Sequence, residues 1–145
     1  MKTKIKKDWD GREKNVQELH DDSKHWISEI QFINDEIRFL DHLLSEKYID
    51  CLDVGLFQKI KTLIIQIAEE KKASQALQEV IQKHETILSN LIAKNSVESN
   101  KNYLYTHQNI AKEIYSFTKK YKNIKKDIFA NVETAMKQRE QKKLV

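Results

Sequence analysis

The chain predicts an all-α protein, an antiparallel up-down-up three-helix bundle with coiled-coil-like packing, and three observations carry that expectation. Apolar residues recur at alternating three- and four-residue spacing through three long stretches. Proline is absent from all 145 residues. Turn-forming residues gather inside the chain at only two places, Asp50 to Gly55 and Lys94 to Asn102. With 3.6 residues per turn, such spacing collects the apolar side chains on one face of each helix, and that face must be buried against another.

The first helix is expected over about 10–48, with Asp10 as its cap and Glu13 reaching back three residues later. Its seam reads Val16, Leu19, Ser23, Trp26, Ile30, Ile33, Ile37, Leu40 and Leu44. Two aspartates and Gly55 then supply a short reversal, which places Cys51 in a turn where it could be exposed. The second helix, about 54–93, carries Ile60, Leu63, Ile67, Glu70, Ser74, Leu77, Ile81, His84, Leu88 and Leu91, a seam thin in its middle. Small residues there, Ala68, Ala73, Ser74 and Ala76, are expected to face Ile27, Ile30 and Ile33 on one side and Phe117 and Tyr121 on the other. The third helix, about 100–138, carries Tyr103, His107, Ile110, Ile114, Phe117, Tyr121, Ile124, Ile128, Asn131 and Ala135. Polar tails flank the whole, and residues 1–145 read as a single helical-bundle domain.

Composition bounds the function. One cysteine excludes an internal disulfide, and the lysine-rich start runs into Asp8 and Asp10 instead of an apolar stretch, so a cytoplasmic protein is expected. The longest apolar run, Leu63 to Ala68, is broken by Gln66 and falls far short of the roughly 20 residues that span a bilayer. Two glycines leave no phosphate-cradling loop, and no metal-thiolate, HExxH or nucleophile-elbow pattern occurs. Asp21, Asp22, Asp35, Glu36 and Asp41 suggest paired carboxylates, yet neighbours on a helix point about 100° apart, so most are expected to be solvated. No enzymatic activity and no cofactor are expected.

Charge is sorted along the chain. Residues 8–53 hold 13 acidic against 5 basic side chains, and residues 101–145 hold 11 basic against 4 acidic. The basic run of Lys119, Lys120, Lys122, Lys125 and Lys126 either complements the acidic first helix or meets an anionic partner, nucleic acid or an acidic membrane. Three histidines, His20, His84 and His107, fall toward the end of the bundle that holds the second turn and are the candidates for a metal. Their spacing lacks both the His and Glu pair three apart of di-iron bundles and any histidine four from another.

Apolar surface outside the seams is the remaining signal. Phe32 and Phe39, seven residues apart, share a shoulder of the first helix with Leu43, and the third helix has a shoulder of Tyr115, Phe129, Val132 and Met136. Each helix of a bundle needs a wide apolar face, so these shoulders are either internal packing or an interface. The reading they support is a non-enzymatic interaction module that acts through homodimerisation or docking of a partner protein. Its candidate contacts are Phe32, Phe39, Leu43, Tyr115, Phe129 and Met136.

Overall fold

A computed structural model describes residues 14–97 and 100–144, with side chains described as far as residue 141. Three helices, α1 (Val16–Asp53), α2 (Phe57–Ala93) and α3 (Lys101–Leu144), pack on one another, and no strand occurs among the described residues. The chain is an all-α three-helix bundle.

Each described helix end has a local cause. The expected Asp10 cap lies outside the described residues; residues 14 and 15 are not helical, and Asn15 begins α1. Its Oδ1 accepts from the Glu18 amide at 2.9 Å while Glu18 Oε1 accepts from the Asn15 amide at 3.0 Å, a reciprocal capping box. At the other end α1 runs five residues beyond the expected Tyr48, because Gly55, at φ 81°, closes it. The Gly55 amide donates to Leu52 and the Leu56 amide to Cys51, which satisfies two carbonyls that the last turn would leave open. Cys51 therefore sits in the last helical turn and is fully buried, not exposed in a loop. Burial pushes its thiol up, and Asp50 adds to the shift, so it is an inert core residue.

α2 ends in the same motif with Asn95 in the glycine place, at φ 55°, its amide bonded to Ile92 and that of Ser96 to Leu91. α3 starts on Asn100, whose Oδ1 accepts from the Tyr103 amide at 2.8 Å, and continues past the expected residue 138 to Leu144.

Two compact units can be distinguished, Met1–Ile30 with Ala76–Tyr115 and Gln31–Gln75 with Ser116–Val145. In the first, Leu19, Leu88, Val97 and Tyr103 form a buried cluster edged by Val16, Leu91 and Leu104. In the second, Ile33, Ile37, Leu40 and Leu44 of α1 are buried with Ile60, Leu63 and Ile67 of α2 and Phe117, Tyr121, Ile124 and Ile128 of α3. Nearly every seam position is buried; Val16, Leu77, Leu91 and Asn131 are half-buried. Val132, expected on a shoulder, is buried as well.

The thin middle of α2 is filled differently from expectation. Ala68 and Ala76 face solvent, since they lie off the seam. Ser74 instead donates to Asn34 Oδ1 at 2.5 Å, and buried Glu70 has Oε2 3.7 Å from Lys120 Nζ. Burial pushes the Glu70 carboxyl up against the pull of Lys120.

Candidate interaction surface

Within the second unit, α1 and α3 lie side by side and parallel. Glu36 accepts from Lys125 Nζ at 3.0 and 3.2 Å, and Asp50 pairs with Arg139, both pairs 89 residues apart in sequence. A constant offset means that the two helices run in the same direction in register, with these pairs as rungs between them. Tyr121 OH donates to the same Glu36 carboxylate at 2.7 Å, and Lys125 Nζ stands 5.6 Å from the centre of the Tyr121 ring. Burial alone would raise the Glu36 carboxyl, but the Tyr121 and Lys125 hydrogen bonds outweigh it and hold the group below the usual carboxylate range.

These rungs locate the shoulder residues. Phe32 lies four residues before Glu36 and Phe39 three after it, so both rings emerge on the α3-facing shoulder of α1. Phe129 lies four residues after Lys125, level with residue 40 and so within one residue of Phe39. All three rings are exposed, at 60%, 56% and 45%, while Leu43 and Met136 are half-buried along the same line. The sequence-derived contact set thus forms one apolar stripe in this unit, except for Tyr115, which is exposed but belongs to the first unit. Three exposed phenylalanines in line are costly to leave in water, since each fully buried ring contributes roughly 2 to 3 kcal/mol.

The five lysines divide. Lys125 is held by Glu36 and Lys120 faces Glu70, whereas Lys119, Lys122 and Lys126 are exposed on one side of α3.

The histidines lie in the first unit, and two of the three meet. His84 Nε2 and His107 Nδ1 are 2.8 Å apart, both residues are buried, and His107 Nε2 is 2.9 Å from Asp22 Oδ2. Lys14 Nζ donates to the same Asp22 oxygen at 2.5 Å. Burial would raise the Asp22 carboxyl, but bonds from His107 and Lys14 outweigh it and leave it below its ordinary value. A carboxylate only accepts, so His107 donates through Nε2 and one proton serves the bond between the two imidazoles. His84 stacks on Tyr103 with ring centres 4.1 Å apart, and burial followed by the His107 charge lowers its pKa from 6.5 to about 4. His20 does not join them; its Nδ1 is 2.8 Å from Glu85 Oε2. No group of three or more His, Cys, Asp or Glu able to hold a metal occurs among the described residues. The ring nitrogens that meet are engaged in hydrogen bonds, so the cluster acts as a buried polar lock between the helices.

Most of the five carboxylates were expected in water, without saying which would be held, and Asp22 and Glu36 are the exceptions. Asp21, Asp35 and Asp41 are exposed, but Asp22 and Glu36 are half-buried and bonded to α3. A signal existed: Asp22, Glu36 and Asp50 lie at fourteen-residue intervals, each immediately before a buried residue, Ser23, Ile37 and Cys51. No helix among the described residues is long and apolar enough to cross a membrane. Comparison with known proteins finds no matching family model, no matching curated protein and no matching solved structure.

Proposed function

We propose that this protein is a non-enzymatic assembly module of the cytoplasm that works by pairing the α1–α3 face of its second unit with another protein surface. The exposed line of Phe32, Phe39 and Phe129, extended by Leu43 and Met136, carries this reading. Exposed aromatic rings edged by charge have the make-up of an interface core and rim. A single buried cysteine suits the reducing cytoplasm. An anionic partner has less to hold, because Lys120 and Lys125 already face carboxylates of the bundle.

Covering of the stripe is directly measurable. Glu133 lies one turn after Phe129 and is exposed, so a Glu133→Cys change in a Cys51→Ala chain places a thiol beside the stripe while keeping the rings. Its reaction with a maleimide is expected to slow severalfold as the protein is concentrated from the low to the high micromolar range. A thiol introduced by Lys71→Cys, on the exposed side of α2, should keep a constant rate. Equal, concentration-independent rates at both sites would count against association through this face.

A further inference from the structure

We propose that the surface covering this face is a second copy of the same chain, laid so that α1 of one copy rests on α3 of the other about a two-fold axis parallel to the helices. This rests on the interaction reading above and adds the partner and the geometry. A two-fold contact uses the same patch on both copies, so the patch must complement itself.

Two principal ways of stacking the face on itself exist. An axis across the helices would lay α1 on α1 and α3 on α3, bringing exposed Asp35 and Glu46, paired with Arg38 and His42 of their own helix, toward the same acidic helix and Lys122 and Lys126 toward their own basic one. An axis along the helices lays acidic α1 on basic α3, and like charges no longer oppose one another. It also leaves every residue at its own height, because rotation about that axis does not move atoms along it.

The offset of 89 between α1 and α3 then limits the pairs. Phe39 of one copy comes within one residue of level with Phe129 of the other, and Phe32 within one residue of Lys122, whose aliphatic stem can lie on the ring. Asp35, which accepts from Arg38 of its own helix, sits on the side of the α1 crest away from the groove, one residue before Glu36, which is bonded to α3. Lys126 sits likewise on the far side of the α3 crest, one residue after Lys125. Rotation brings these two margins together, so Asp35 of one copy lies near the rim about 3 Å along the helix from the level of Lys126 of the other, within reach of that long side chain. Symmetry makes each contact twice.

Charge reversal tests the geometry separately from association itself. Asp35→Lys alone sets two ammonium groups against each other at both rim contacts and is expected to weaken self-association by about tenfold or more. Lys126→Glu alone should do the same, with two carboxylates in their place. An equimolar mixture of the two variants should recover wild-type affinity as a heterodimer, since both rim contacts are then again of opposite sign. The readout is the dimerisation constant from sedimentation velocity. If the wild type associates through the stripe but Asp35→Lys associates as well or better, α1 lies on α1 and the parallel-axis arrangement is wrong while the interaction reading stands. A mixture no tighter than the separate variants excludes the parallel axis in the same way. A wild type whose face is never covered overturns both.

Discussion

Acidification from pH 6.5 to about 4 is expected to remove about 3 kcal/mol of folding free energy through His84 alone, following from the 1.36 kcal/mol that each pKa unit represents. The sign follows from which state takes the proton first. Unfolded His84 titrates near 6.5, whereas the folded ring, buried against Tyr103 and beside His107, resists protonation until about 4. Between these values the unfolded chain binds more protons, so stability is full above the unfolded pKa, falls as pH drops and levels off below the folded one. Asp22 acts in the same direction in stronger acid, because its folded pKa lies below 3.8 and its contribution is lost only as the carboxylate is protonated. Urea midpoints followed by circular dichroism across this range measure the slope. His84→Phe should flatten the dependence between pH 6.5 and 4 whatever it does to absolute stability. A slope unchanged by the substitution would mean that His84 is not the titrating group.

The second large effect is in the core of the other unit. Ile33→Ala and Phe117→Ala should each cost about 2 to 5 kcal/mol, the transfer energy of the lost atoms plus the cavity they leave in a close-packed interior. Both residues are buried, one on α1 and one on α3. Phe32→Ala, one position from Ile33 on the same helix, should change the stability of the monomer by less than about 0.5 kcal/mol because its ring is exposed. Chemical denaturation at low protein concentration tests all three together. Similar costs at Phe32 and Ile33 would refute the facing of α1.

The three helices and their buried faces were legible because the bundle rests on a repeat that states its own period. Leu19, Ile30, Ile37, Ile67, Ile128 and their neighbours occupy the seam as spacing required, and the two polar reversals fell where Gly55 and Asn95 close the preceding helices. The start of α1 was less legible. Asp10 with Glu13 and Asn15 with Glu18 offer the same capping chemistry five residues apart, and local pattern does not choose between them.

The exposed stripe was readable from Phe32 and Phe39, which sit off the seam seven residues apart. Phe129 was also among the contacts the sequence suggested, but its height beside Phe39 was not readable, since the register between α1 and α3 is set by contacts 89 residues apart in the chain. The polar cluster shows the same limit. Seam spacing put His84 and His107 inside, but helix pitch alone does not say that Asp22 reaches His107 while His20 turns to Glu85. In both cases the missing information was side-chain reach across two helices, not which face of each helix was buried.

Light scattering on the wild type and on Phe32→Glu/Phe39→Glu across a wide concentration range tests the central claim most directly. The wild type is expected to rise from 17.2 kDa toward twice that mass as it is concentrated, driven by burial of the phenylalanine stripe. The double variant should stay at monomer mass with an unchanged helical circular dichroism spectrum, because both substitutions lie at exposed positions outside the seam. A wild type that keeps monomer mass at every concentration, or a variant that associates as tightly as the wild type, would contradict the account.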